Sequence, residues 1–154
     1  MIDFIYGRKA HNINYTISDS ELDVATYTKP ARTLFRVEAD SNFLFSALKK
    51  YPFGVSFLGK KILILSKLIE TSGSGKSFQA DYLLITGNSS LKLTDVLQNV
   101  KPSLVLFDAT NSAGKIARWK RECELLHLRC FSIRDSGALV LSLHPDSLIA
   151  HRGK

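Results

Sequence analysis

The chain is poor in the side chains from which most metal and nucleophile sites are built. Its 154 residues include two cysteines and four histidines. Cys123 falls on the apolar side of a predicted helix and Cys130 begins a predicted strand, so we expect both to be structural thiols and not a disulfide framework. No histidine pairs with another at the spacing of zinc ligands; the four are His11, His127, His144 and His151. We therefore expect no metal site and no cofactor.

Long hydrophobic runs are also missing. No apolar stretch approaches the roughly 18 residues that a membrane-spanning helix needs. The start of the chain, Met1-Ile2-Asp3-Phe4, lacks the basic residues and apolar core of a signal peptide. Hydrophobic residues make up 45% of the chain, which favours a folded domain. We expect a soluble chain, either complete or cut from a longer protein.

The charge balance is strongly basic, with a formal net charge of +7. Such a charge favours an anionic partner such as nucleic acid, phosphate or a membrane surface, or it serves solubility alone. The densest basic group is Lys115, Arg118, Lys120 and Arg121. A helix face of this kind can follow DNA phosphates or be a solvated surface. Trp119 points inward by spacing, so base stacking is not expected here.

Three apolar runs in the second half of the chain each end in small polar residues. They are Tyr82–Ile85, Leu104–Phe107 and Cys130–Ile133, separated by helical patterns over about 91–99 and 113–126. This alternation predicts an α/β domain: a mixed β-sheet with flanking helices. Ligands of such sheets gather beyond the carboxyl ends of the strands. The residues expected in that pocket are Thr86, Gly87, Asn88, Asp108 and Asn111.

Two carboxylates, Asp108 and Asp135, follow neighbouring predicted strands. They are the only weak candidates for catalysis, since together they could hold a hard cation such as magnesium. The alternative is that each aspartate caps a turn or the start of a helix, a common position for this residue.

The remaining pattern predicts one domain over residues 1–143 and a tail over 144–154.

A helix begins at the capping pattern of Ser18–Glu21 and ends at Pro30, because the residue before proline avoids helical geometry. Asn111 or Ser112 is placed to cap the helix at 113–126. Gly59 supplies the positive φ of a hairpin turn. The other predicted strands are 2–6, 11–17, 33–39, 42–48, 55–58, 61–65, 129–133 and 138–143.

Several stretches give the chain a family resemblance. The run from Lys61–Leu65 through Ala80–Ile85 to Ser136–Leu141 resembles the end of a ComEC-type competence protein. Those proteins are inner-membrane DNA-uptake channels whose C-terminal soluble part is a metallo-β-lactamase-like domain. The likeness is closest to the shortened version of Bacteroidetes members. Stretches similar to the following recur there: Phe107–Asn111, Trp119–Cys123, His127-Leu128 and Ser136–Ala138.

The chain departs from this family where catalytic members carry metal ligands. Their His-His-Gly-Ser stretch is replaced by Thr86-Gly87-Asn88-Ser89-Ser90, and their Gly-His-Pro stretch by Asn111-Ser112-Ala113-Gly114-Lys115. The front of the domain, which would hold the main His-rich motif, is absent or replaced. The resemblance therefore implies a partial metallo-β-lactamase-like sandwich with a degenerate site, in which no residue is assigned as a zinc ligand.

The resemblance implies a non-catalytic accessory domain of a membrane DNA-uptake protein. Its expected partners are the membrane-embedded part of the parent protein and DNA, contacted without sequence specificity, with no small-molecule cofactor. We expect it on the periplasmic side of the inner membrane. Two alternatives stay open: a magnesium-dependent phosphoesterase or nuclease that uses Asp108 and Asp135, and a structural interaction domain that packs on the membrane portion.

Overall fold

The computed structural model describes residues 1–14, 21–40, 47–66 and 77–143. The chain divides into two compact units, Met1–Ser46 and Ala47–Lys154. The expectation of one domain over residues 1–143 stays a prediction, and the tail predicted at 144–154 lies outside the described residues.

The first unit is a small sheet with one helix. Strands β1 (Ile2–Tyr6) and β2 (Lys9–Ile13) form an antiparallel hairpin, and β3 (Glu38–Ala39) pairs with β2 in parallel. Helix α1 (Glu21–Phe35) connects β2 to β3. The Arg32 guanidinium donates to both carboxylate oxygens of Asp3, at 2.7 and 2.9 Å, and so ties the end of α1 to β1.

Helix α1 corrects two sequence predictions. Pro30 lies inside the helix and does not end it, and the strand predicted over 33–39 is reduced to β3. The helix instead ends at Arg36, whose positive φ of 52° closes a Schellman-type turn in which the Val37 amide donates to the Arg32 carbonyl at 2.9 Å. Two residues after Pro30, Arg32 pairs with Asp3 of β1, a tertiary contact of the kind that offsets a low intrinsic helix propensity.

The second unit is built on a six-stranded mixed sheet, which confirms the predicted α/β class. Its strands run in spatial order β4-β5-β6-β7-β8-β9. The pairs β4–β5 and β5–β6 are antiparallel, and the three pairs from β6 to β9 are parallel. The bounds are β4 Leu48–Tyr51, β5 Gly54–Phe57, β6 Lys60–Leu65, β7 Phe78–Ile85, β8 Val100–Phe107 and β9 Cys130–Ser132. Its helices are α2 Leu93–Leu97, α3 Ala113–Leu125 and α4 Ile133–Ser136.

The hairpin of β5 and β6 confirms the positive φ predicted for Gly59, but its turn lies one residue earlier than the 59–60 that the predicted strands imply. Leu58 and Gly59 form the two-residue connection with φ angles of 48° and 78°. Two consecutive positive φ values match the right-handed twist of the flanking strands, as in a type I′ turn. The strand predicted at 42–48 is only partly testable, because residues 41–46 lie outside the described ranges; β4 begins at Leu48.

The core of this unit lies beneath α3, as the helical spacing predicted. Ile116, Trp119 and Cys123 are at most 2% exposed. The Trp119 ring stacks on Phe107 with 5.4 Å between centroids, and its Nε1–H donates to the Leu91 carbonyl at 2.9 Å. Burial, and then the neighbouring Cys130, raise the pKa of Cys123 to about 12, so this thiol stays neutral and structural.

The end of the described chain differs from the sequence prediction. The strand predicted at 129–133 is confined to β9, and the turn after it is the short helix α4. The Ser132 hydroxyl accepts from the Asp135 amide at 3.4 Å and begins α4, and Gly137, at φ 79°, ends it. No strand forms over 138–143, where Val140 is 61% exposed. A mostly apolar run alone does not form a strand without a neighbour to supply ladder hydrogen bonds.

Candidate functional site

The carboxyl ends of β7 and β8 lie side by side and bring the predicted pocket residues together. The two strands pair up to Ile85 and Phe107, so Thr86 and Asp108 continue as neighbours. The Asp108 amide donates to the Ile85 carbonyl at 3.3 Å. The turns that follow place Gly87, Asn88 and Asn111 around the same point. We call this group, together with Thr110, the strand-end cluster.

The Asp108 carboxylate is the acceptor at the centre of the strand-end cluster. The hydroxyls of Thr86 and Thr110 each donate to it at 2.5 Å. The Asn111 amide nitrogen Nδ2 donates to Oδ1 at 2.9 Å, and the Thr110 backbone amide donates to the same oxygen at 3.2 Å. Four protein donors therefore engage this carboxylate, three on Oδ1 and one on Oδ2.

Asn111 is the buried anchor of the cluster. Its side chain is fully buried, and besides its bond to Asp108 its Nδ2 donates to the Ile85 carbonyl at 2.8 Å. Its Oδ1 is buried without a partner among the described residues. Asn111 thus fastens the loop after β8 to the end of β7.

The loop after β7 is shaped by two residues in the left-handed region. Gly87 and Asn88 have φ angles of 70° and 51°. The Gly87 amide donates to the Thr110 hydroxyl at 2.8 Å, and the Asn88 side chain accepts from the Ser112 amide at 3.1 Å. Ser112 occupies the N-cap position of α3, as predicted, but its own side chain makes no capping bond. The start of α3 is instead held by Asn88 of the neighbouring loop, which accepts a hydrogen bond from the backbone amide of Ser112.

Thr110 is the cluster member that the sequence analysis missed. It bonds to Asp108 through both its hydroxyl and its amide, and to Gly87 through its hydroxyl. The spacing of Asp108 and Thr110 was a readable signal, because an aspartate commonly accepts from the backbone two residues later.

Asp135 belongs to a different group of side chains. Its carboxylate accepts from the Lys120 ammonium at 2.7 Å, and hydrogen bonds from Lys120 and Ser132 lower its pKa. The hydrogen bond to Asp135 in turn raises the pKa of Lys120. Within the described ranges, no hydrogen bond or ion pair joins Asp135 to Asp108, and no three His, Cys, Asp or Glu side chains group as a metal site would require.

The basic face of α3 is partly neutralised by its own neighbours. Arg118 forms an ion pair with Glu122 at 3.3 Å and donates to the Leu91 carbonyl at 2.8 Å. Lys120 pairs with Asp135. The Lys115 ammonium donates to the Asn88 carbonyl, which carries no charge. Arg121 is exposed and makes no hydrogen bond or ion pair with the described part of the chain. Two of the four predicted cations, Lys115 and Arg121, therefore keep an uncompensated charge.

Comparison with known proteins gives one result. The model of a protein family described as the ComEC C-terminal domain matches residues 1–143, which include every described element. This match confirms the resemblance drawn from the sequence. No curated protein and no solved structure gives a significant match.

Proposed function

Since the chain belongs to the ComEC C-terminal domain family, and is therefore part of a competence protein that takes up DNA, we propose that it is a non-catalytic domain that contacts DNA without reading its sequence. The family also places it in a protein with a membrane-embedded part. No described helix of the chain itself has the length and apolar character to cross a bilayer.

The observation that carries the non-catalytic proposal is the engagement of Asp108 by four donors, three on Oδ1 and one on Oδ2. A metal ligand or general base needs a lone pair directed at the ion or the proton. The donors around Asp108 come from two threonines, a backbone amide and an asparagine, all within 3.2 Å. Use of Oδ1 for chemistry would require breaking these bonds, Oδ2 already accepts from the Thr86 hydroxyl, and Asp135 is held by Lys120.

The two uncompensated cations of α3 support the DNA contact. Lys115 lies in the first turn of α3 and Arg121 two turns later. By helical spacing Arg121 lies opposite the face that is buried through Trp119, while Lys115 lies at the edge of that face and is partly exposed. Phosphates bind such cations through charge alone, and this binding does not distinguish sequences.

Fluorescence anisotropy with labelled duplexes of two unrelated sequences tests this proposal. At low salt we expect equal, weak binding of both duplexes and its loss in the double variant Lys115→Gln, Arg121→Gln. The matched control is Lys49→Gln, Lys50→Gln, which removes the same charge from strand β4. If both double variants bind like the parent protein, α3 is not the contact surface. If the parent protein does not bind at all, the structural interaction domain replaces this proposal.

Hydrolysis of a generic phosphodiester in the presence of magnesium tests the non-catalytic part separately. We expect no turnover above the buffer rate. Magnesium-dependent turnover that disappears in Asp108→Asn would establish the phosphoesterase alternative, whatever the result of the DNA titration.

A further inference from the structure

The turn between β4 and β5 presents two aromatic side chains to solvent. Tyr51 is 57% exposed and Phe53 is 50% exposed, with Pro52 between them. The backbone of this turn is firmly held, because Tyr51 pairs with Gly54 and the Phe53 carbonyl accepts from the Ile64 amide at 2.8 Å. We call Tyr51, Pro52 and Phe53 the aromatic turn. It is a rigid projection that leaves two large rings largely hydrated.

Two lysines lead directly into the aromatic turn. Lys49 and Lys50 are exposed on β4, the edge strand of the sheet. Neither makes an ion pair with a carboxylate of the described residues. The segment 49–53 therefore combines a net charge of +2 with two exposed rings and contains no acidic residue.

Another exposed aromatic of this unit has a different setting. Phe78 is 47% exposed, and the Lys61 ammonium lies over its ring at 5.5 Å from the centroid. That ring already has a cationic partner within the protein. Phe78 is therefore a suitable internal comparison for the aromatic turn.

We propose that the aromatic turn and Lys49 and Lys50 dock on an anionic bilayer surface. Aromatic rings are favourable at the level of lipid headgroups, and lysines next to them are attracted by anionic lipids. Two rings and two cations give weak, reversible binding by themselves. This binding becomes substantial in a protein whose membrane-embedded part holds the domain near the bilayer, because tethering raises the effective concentration.

This assignment goes beyond the DNA contact on α3 and uses a separate surface. A lipid surface fits the aromatic turn better than a nucleic acid does. Binding of single strands by stacking relies on rings spaced along a groove with cations beside them. Here the rings lie on a short turn at the sheet edge, as in an interfacial anchor, and the cations precede them in sequence.

The test uses the full 154-residue chain with Phe53→Trp as a local probe and Phe78→Trp as the matched control. The fluorescence of the added tryptophan is obtained by subtracting the emission of buried Trp119, which is measured in the parent chain. On titration with vesicles of phosphatidylcholine and phosphatidylglycerol, we expect a blue shift and quenching by brominated lipid for Phe53→Trp only. Vesicles of phosphatidylcholine alone should give neither change.

Sedimentation with the same anionic vesicles measures affinity. We expect Lys49→Gln, Lys50→Gln to weaken binding roughly thirtyfold, about fivefold for each lysine. Lys115→Gln, Arg121→Gln should bind anionic vesicles much more strongly than the β4 variant does. Lack of vesicle binding at low salt, or equal shifts at positions 53 and 78, would overturn the proposal. If the lysine pair on β4 instead controls DNA affinity, this surface is a nucleic-acid surface and the lipid assignment is wrong.

Discussion

Asp108 shows how the role of a single residue depends on neighbours that a sequence does not reveal. At the end of a strand it has the position of a metal ligand, and in the folded chain it accepts hydrogen bonds from three other residues of the strand-end cluster. The sequence predicts where Asp108 lies and leaves two hypotheses for its role, a magnesium ligand or a cap. Only the geometry of Thr86, Thr110 and Asn111 favours the structural reading.

Substitution of Asp108 should therefore destabilise the protein. We expect Asp108→Asn to lower the free energy of unfolding by about 1–3 kcal/mol, because an amide cannot accept from all four donors and some are left unpaired. Urea unfolding followed by the fluorescence of buried Trp119, the chain's one tryptophan, measures the change.

The matched control for this measurement is Asp95→Asn, in the first turn of α2, where the carboxylate accepts one long bond of 3.4 Å from Thr94. It should change stability by less than Asp108→Asn. A gain of stability in Asp108→Asn would contradict the structural role, since strained functional carboxylates often stabilise a protein when they are replaced.

Asp81 provides a second residue-scale prediction, through its titration. Burial raises the pKa of Asp81, but hydrogen bonds from the Lys61 amide and the Lys60 ammonium outweigh it and hold the pKa below its ordinary value. A carboxylate with a lowered folded-state pKa contributes stability that is complete above its unfolded value of about 3.9 and is lost as pH falls through the folded value.

We expect Lys60→Met to raise the apparent pKa of Asp81. The variant should then lose less free energy of unfolding than the parent protein does when the pH falls below about 4. Carbon-13 NMR of the aspartate carboxyl groups follows the titration. Lys120→Met is the control, because it should raise the apparent pKa of Asp135 and leave that of Asp81 unchanged. If the apparent pKa of Asp81 is the same in both variants, Lys60 does not determine that pKa.

At the scale of elements, local signals worked where the element depends on its own residues. The β5–β6 hairpin and the buried face of α3 follow from Gly59 and from the spacing of Ile116, Trp119 and Cys123. Local signals failed where contacts with a distant part of the chain determine whether an element forms or where it ends. Helix α1 continues past Pro30 to a turn in which Arg32 pairs with the distant Asp3, and the mostly apolar residues 138–143 form no strand.

Gly54 allows the close approach of β5 to β6 by lacking a side chain. A Cβ at Gly54 would lie 2.2 Å from the Ile62 carbonyl oxygen, which is backbone and cannot rotate away. We expect Gly54→Ala to destabilise the protein by about 1–3 kcal/mol. Gly114→Ala is the comparison: α3 leaves its Cβ in open space, so alanine should be neutral or stabilising by up to about 1 kcal/mol.

Thermal unfolding monitored by Trp119 fluorescence compares the two glycine variants. If Gly54→Ala and Gly114→Ala shift the midpoint in the same direction, the close approach of β5 to β6 is not the reason for glycine at position 54.

At the scale of the whole molecule, the α/β class and the place of the site could be predicted from sequence, because strand ends, helix faces and the family likeness are all local or linear patterns. Hydrogen-bond partners and ion pairs between distant segments could not be predicted. Arg118 and Glu122 stand at the i and i+4 spacing of a helical ion pair, but nothing local indicates that Asp135 neutralises Lys120 in the fold. The uncompensated basic surface of α3 is therefore half as large as its sequence suggests.

The salt dependence of DNA affinity tests this central claim most directly. Each phosphate contact contributes about 0.9 to the slope of log affinity against log salt for duplex DNA. With Lys115 and Arg121 as the contacts, the slope should be about −1.8, so affinity should fall roughly tenfold between about 50 and 200 mM salt.

In Lys115→Gln, Arg121→Gln the slope should approach zero, while Lys49→Gln, Lys50→Gln should keep the parent value. A parent slope near −3.6, about a hundredfold loss over the same range, would mean that all four basic residues of α3 reach phosphate and that the ion pairs to Glu122 and Asp135 open on binding. A slope unchanged by the α3 variant would contradict the account.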